Sequence, residues 1–315
     1  MDFDQPRMFS RTEALAAGFT DDDLRRGRAS GELHTVRRGY FIRSEVYSSL
    51  GPHARHLALA EAIHAESSNS TVFSHVSAAV LHRMDTWDVP LDKVTFTIGR
   101  TYAGKRGRHR ILHGSPIPPA DLTEVDGFPV TTPARTVVDL ARTLALTPAV
   151  CVGDAALRTG ATTRHDIDRA LAESRNRTGI ARARQAAAMM SDRSDSVGET
   201  RSRMLLDTLP LPPPLLGQWV YDEIGIPIGR ASFLYPDHGV LGEFEGQGRF
   251  GAHPAPWSAQ DERRRDDFRS LGWVVVQWNW SDLSNPRELT DRVARAFVSA
   301  AAQRAPRGRF APQRA

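Results

Sequence analysis

Cysteine and lysine are almost missing from this chain of 315 residues. The single cysteine, Cys151, excludes an internal disulfide and any cysteine-based zinc cluster, and its apolar helical surroundings predict a packing residue rather than a reactive thiol. Lysine occurs only at Lys93 and Lys105, so nearly all positive charge is arginine. No apolar run approaches the roughly eighteen residues that a membrane span needs. The first stretch carries acids throughout and lacks the apolar core of a signal peptide. Both absences predict a cytoplasmic protein with no membrane partner. A Gly-rich phosphate loop followed by Lys and a Gly-x-Ser-x-Gly elbow are also missing. His75, His82, His109 and His113 have no cysteine or carboxylate at metal-ligand spacing, and they read as structural or solvent-facing.

What remains is an ordinary soluble composition, 40% hydrophobic and 25% charged, with length for two or three domains. A formal charge of +4 is compatible with a nucleic-acid partner without demanding one.

In residues 8–41, MFSRTEALAAGFTDDDLRRGRASGELHTVRRGYF, Ser10 with Glu13 forms a capping box that opens a short helix, and Gly18 ends it. Thr20 then caps a second helix whose first turn is Asp21-Asp22-Asp23, and Gly31 stops it. The alternating stretch 32–41 reads as a hairpin with Arg37 and Arg38 near its tip. Residues 1–45 hold eight basic and eight acidic side chains, so any basic face must arise by segregation. The unit resembles the winged helix-turn-helix of AbiEi-type antitoxins and related bacterial regulators. That resemblance implies a reader of double-stranded DNA, with Arg25, Arg26 and Arg28 toward the major groove and Arg37 and Arg38 on phosphate or the minor groove. Its alternative is a small helical domain for protein contact.

Further on, helices are predicted over 53–66 and 74–84, with Ser74 as a cap, and a strand over 93–99. The acid-free run 100–113 is the densest basic stretch. As an extended hairpin, its Lys105, Arg106 and Arg108 would track a phosphate backbone, with Tyr102 as a stacking surface; the other reading is a solvated face. Thr132-Pro133 reads as an N-cap followed by proline at the first position of a helix over 134–144. On that helix Arg135 and Asp139 stand four apart and are expected to pair. Helices at 148–158, 164–174 and 179–190 complete the segment. The phrases SHVSAAVLH and VTTPARTVVDLAR also resemble the AbiEi-type proteins, in the region after their winged helix, and a cognate toxin protein is then the implied partner.

Beyond a helix at 196–209 carrying Glu199, the stretch 228–250 reads as two strands, over 228–235 and 240–245, about the turn Pro236-Asp237-His238-Gly239. Glu243 and Glu245 are two apart and project from one side of the sheet. A helix over 259–270, with the self-paired run DERRRDD, leads into the apolar strand 273–278. Helix, three strands, helix, strand, with Glu on the first helix and acid-x-acid on the third strand, resembles the PD-(D/E)XK nuclease core in its very-short-patch-repair-like branch. The resemblance implies that Glu199, Glu243 and Glu245 are metal ligands, with Glu243 and Glu245 catalytic, and that Mg²⁺ or Mn²⁺ is the cofactor if the domain is active. The chain departs from the pattern at Ser232, where an Asp is expected, and at Gln247 and Arg249, where Lys or His is expected. Losing a carboxylate ligand and a nearby cation removes several kcal/mol of transition-state stabilisation. That is about a thousandfold in rate.

The sequence therefore predicts an α+β protein. Its parts are a winged helix-turn-helix (1–48), a mixed α/β linking domain (49–192), a degraded restriction-endonuclease-like α-β-β-β-α-β core (193–303) and a disordered tail (304–315). The expected function is DNA-binding regulation of the antitoxin type with an inactive nuclease-like domain; the alternative is a divalent-metal-dependent endonuclease.

Overall fold

The computed structural model describes residues 8–67, 71–99, 104–246 and 259–312. The positions of Arg100, Tyr102, Gln247 and Arg249 singled out above lie outside them. The chain divides into two compact units, Met1–Leu144 with Arg164–Ala183, and Ala145–Thr163 with Arg184–Ala315. The division falls at 144, 163 and 183, and neither 48 nor 192 is a unit boundary.

The chain begins with β1 (Phe9–Ser10), α1 (Arg11–Ala16), α2 (Asp21–Ala29), β2 (Leu33–Arg37), β3 (Tyr40–Arg43) and α3 (Ser44–Ser49). Both expected caps form, the one at Thr20 also as a capping box: Ser10 Oγ accepts from the Glu13 amide and Thr20 Oγ1 from the Asp23 amide, with the two acids bonded back to the cap amides. Phe9, Ala14, Leu24, Leu33 and Phe41 form a small buried core beneath the helix pair and the three-stranded sheet β1-β3-β2.

Next come α4 (Pro52–His64), β4 (Thr71–Phe73), α5 (His75–Leu81), β5 (Val94–Ile98), β6 (Lys105–Arg106), β7 (Arg110–Gly114), β8 (Leu122–Val125), β9 (Phe128–Thr131) and α6 (Pro133–Thr143). The six strands form one mixed sheet, ordered β6-β7-β5-β4-β9-β8. Ala60 and Ile63 of α4 and Ala78 and Leu81 of α5 close over Phe73, Val94, Phe96 and Val130 of the sheet. After α7 (Leu146–Arg158), α8 (Arg164–Glu173) returns to pack on α6, and α9 (Ile180–Met189) leads out again.

In the second unit Cys151 of α7 is buried, as expected. Asp154 of the same helix accepts from the Ser191 amide (2.7 Å), the Thr200 hydroxyl (2.8 Å) and the Arg203 guanidinium (2.8 Å). Those last two partners lie on α10 (Val197–Leu206), which precedes β10 (Leu215–Tyr221), β11 (Pro227–Tyr235), β12 (Val240–Phe244), α11 (Ala259–Ser270), β13 (Val274–Trp278), α12 (Pro286–Ala301) and β14 (Arg309–Ala311). The sheet order is β13-β12-β11-β10-β14, antiparallel except for β12 with β13. One face buries Phe233, Tyr235, Val240, Val276 and Trp278 against Leu206, Leu289 and Val293. The other buries Ala231, Leu234 and Leu241 against Phe268 and Leu271. Trp278 is thus core, with its indole N–H donated to Ser202 Oγ at 2.8 Å.

The tail departs from expectation. Arg309–Ala311 adds to the free edge of β10, because unpaired strand groups need acceptors and donors that a basic, Pro-containing composition does not advertise.

Candidate functional site

Three groups of side chains deserve separate treatment, beginning at the N-terminus. Arg25 and Arg26 are exposed on α2 and pair with Asp22 (3.1 Å) and Asp23 (2.5 Å), one turn back. Such exposed pairs are worth little and exchange readily for phosphate. Arg28 lies over the Phe41 ring and donates to the Leu24 carbonyl. Of the hairpin arginines, Arg38 is exposed, whereas Arg37 is half-buried and pairs with Glu66 at 2.7 Å. Arg37 is therefore not a free hairpin arginine.

The basic hairpin of the middle segment does not form one strip. Lys105 is opposite Leu112 and Arg106 is opposite Ile111, so the two basic side chains leave opposite faces of the sheet. Arg106 shares its face with His113, one diagonal step away, while Arg108 is exposed in the connection.

The carboxylates of the second unit are each satisfied by neighbours. Glu199, in the first turn of α10, accepts from the Asp195 amide (2.7 Å) and from the Ser232 hydroxyl (2.9 Å). Ser232 thus bonds the acid that an Asp in its place would repel. Glu243 is buried and pairs with Arg264 at 3.3 Å; Glu245, just past β12, pairs with Arg265 at 3.5 Å. Gly229 makes room for this, since a Cβ there would sit 2.6 Å from Arg264 Cδ. Arg264 and Arg265 come from the DERRRDD run, which pairs with itself at Arg264–Asp261 (3.6 Å) and also reaches these acids, so it is not only a solvated face. Burial raises all three glutamates, opposed at Glu199 chiefly by its hydrogen bonds and at Glu243 and Glu245 by these arginines. Among the described residues no three His, Cys, Asp or Glu side chains could hold a metal ion. Glu199, Glu243 and Glu245 do not fit a divalent ion: their oxygens face a hydroxyl and guanidinium groups, not one shared centre. No metal-dependent step follows from them.

The densest buried chemistry lies elsewhere, in the first unit. Arg135, 1% exposed, donates to Asp139 (2.7 Å), as the four-residue spacing predicts, and also to Asp121 (2.6 Å) and Ser115 Oγ (3.3 Å). Asp139, equally buried, further accepts from Arg142 (2.8 Å) and has Arg177 at 3.7 Å. Burial works to raise the Asp139 carboxyl, and His75, Arg135 and Arg142 outweigh it and hold it below its usual range. Beside it, His75 is buried at the first position of α5 with φ +50, its ring stacked 3.9 Å from that of His113. Burial pushes His75 down to about 3 and lowers His113 as well, so both rings are neutral at neutral pH.

Two predicted caps prove to be part of this cluster's frame. Ser74 makes no cap bond; its Oγ meets His75 Nδ1 at 3.0 Å. The Thr132 hydroxyl also caps nothing, while its amide donates to the Asp121 carbonyl at 2.9 Å. The His75–His113 meeting joins positions far apart in sequence, and only the phrases SHVSAAVLH and VTTPARTVVDLAR marked its surroundings.

Residues 71–187 match the family model of the AbiEi antitoxin C-terminal domain. The matched segment contains every residue of the histidine–arginine cluster and none of Glu199, Glu243 and Glu245. Two Mycobacterium tuberculosis proteins, the uncharacterized proteins MT2308 (strain CDC 1551 / Oshkosh) and Rv2248 (strain ATCC 25618 / H37Rv), are each 34% identical to this chain over 177 residues, 56% of the chain. The chain spans 64% of the length of these relatives. The crystal structure of the RV2827C protein from Mycobacterium tuberculosis aligns with a TM-score of 0.37 at 18% identity, covering 63% of this chain and 76% of that one.

Proposed function

We propose that the protein is an antitoxin-type regulator that binds double-stranded DNA through residues 8–43 and meets a cognate toxin protein through its AbiEi-type segment. The match of residues 71–187 to the antitoxin domain carries this reading. A doubly capped helix pair followed by a hairpin supports the DNA-binding part, with Arg25, Arg26, Arg28 and Arg38 exposed toward solvent. Arginine supplies bidentate donors for phosphate and for base edges, and four exposed arginines stand on α2 and at the hairpin tip. The nuclease-like domain serves as a scaffold in this reading, because its carboxylates are paired with arginine and serine.

The test is fluorescence anisotropy of the full-length protein on a duplex from upstream of its own gene, with and without Arg25→Ala/Arg28→Ala. Binding that weakens with rising salt and drops by roughly tenfold or more in the double variant is expected. Equal binding by the variant removes the assignment to α2. A supercoiled plasmid incubated with Mg²⁺ or Mn²⁺ should remain intact; nicking abolished by Glu243→Ala would revive the endonuclease reading.

A further inference from the structure

We propose that Arg106, Arg142 and Arg177, gathered around the stacked His75–His113 pair, form a binding site for the phosphate group of a small phosphomonoester. The inference stands on the cluster itself and does not depend on the regulatory reading.

Charge is the first argument. Three guanidiniums, Arg135, Arg142 and Arg177, face two carboxylates, Asp121 and Asp139, and the histidines beside them add no charge at neutral pH. The excess is one positive charge in a setting where Arg142 and Arg177 are only 14% and 18% exposed, and the exposed Arg106 beside His113 adds a second. Partly desolvated excess charge calls for a counter-charge, and a phosphomonoester dianion supplies two units where a carboxylate supplies one.

The donors are the second. Arg135 is fully engaged inward. Arg142 directs Nε to the Thr178 carbonyl and Nη1 to Asp139, and among the described residues its Nη2 has no acceptor. Arg177 Nη1 is buried without a hydrogen-bond partner. Arg106, on the His113 face, makes no ion pair among the described residues and is near enough to act on the His113 charge. Donors from three chain segments, Arg142 and Arg177 beside Asp139 and Arg106 beside His113, suit a tetrahedral oxyanion better than a planar one.

Backbone strain is the third. A buried histidine at φ +50 is strained and persists where the surroundings over-determine it. Such outliers collect at binding sites, and here the strain presents the His75 ring flat beneath His113.

The experiment titrates the full-length protein with inorganic phosphate by calorimetry, following the histidine ring resonances by NMR. Arg106→Ala, Arg106→Lys and, as a surface control, the exposed Arg287→Ala are run in parallel. Saturable binding is expected, with movement of the His113 signals, roughly tenfold weakening in Arg106→Ala, partial recovery in Arg106→Lys and no change in Arg287→Ala. Equal affinity of Arg106→Ala, or unmoved His113 signals, would overturn the site. Acetate binding as well as phosphate would overturn the ligand class. A short DNA duplex displacing phosphate in an Arg106-dependent way would overturn the small-molecule assignment in favour of a polynucleotide backbone.

Discussion

Asp139 shows how differently two ion pairs of the same formal kind behave. On the surface, Arg25–Asp22 has side chains 69% and 61% exposed and contributes at most about 1 kcal/mol. Asp139 is 1% exposed, and removing its charge leaves Arg135 buried with one of its two carboxylate partners. Asp139→Asn is expected to destabilise the first unit by roughly 3–5 kcal/mol, measured as a lower urea midpoint with little change in slope. The Arg135–Asp139 pair was legible because four residues make one helical turn. Asp121, Arg142 and Arg177 were not singled out, since Asp121 and Arg177 reach the cluster only once β8, β9 and α8 have folded. The serine and threonine that looked like caps misled for a related reason: a hydroxyl's partner is chosen by the whole neighbourhood, and at Ser74 the histidine ring takes it.

Most helices could be read directly, as their signals are local. Capping residues, first-position prolines and apolar spacing fall within one or two turns, and α12 displays them too in Pro286 and the stripe Leu289, Val293, Ala296. Short strands carry no such signal. β4, β8 and β14 have three or four residues each and exist because a neighbouring strand needs partners. The pairing of α11 with the β12 acids is likewise tertiary, for helical spacing allowed DERRRDD to satisfy itself. β14 offers a direct test. Gly308 enters it at φ +87, and a Cβ there would lie 2.1 Å from the Tyr221 carbonyl oxygen, which is backbone and cannot yield. Gly308→Ala should release this strand, seen as faster hydrogen exchange at Trp219–Tyr221, while the α10–Asp154 bonds keep their protection.

The whole molecule should respond to acid unevenly. Seven histidines of the first unit, His34, His53, His56, His64, His75, His82 and His113, are all lowered, with burial the main cause in each. A depressed histidine keeps its contribution above the unfolded value near 6.5 and loses it as pH falls toward its folded value, because the unfolded chain then binds more protons. The nearby charges, Asp139, Asp85, Asp92, Arg55, Arg106, Arg135 and Arg142, modify this without reversing it. Between pH 7.5 and 5.5 the first unit should lose stability while the second, where Glu199, Glu243, Glu245 and Asp154 are raised and the folded chain binds more protons as pH falls, should hold or gain it. Hydrogen exchange resolved by peptide at the two pH values checks this, and uniform behaviour would contradict it. The same division bears on synthesis. Because the chain leaves the first unit after Leu144, returns at Arg164 and leaves again after Ala183, a nascent chain cannot finish that unit until α8 has emerged. By then α7 is already outside the ribosome, waiting for a sheet that has not been made.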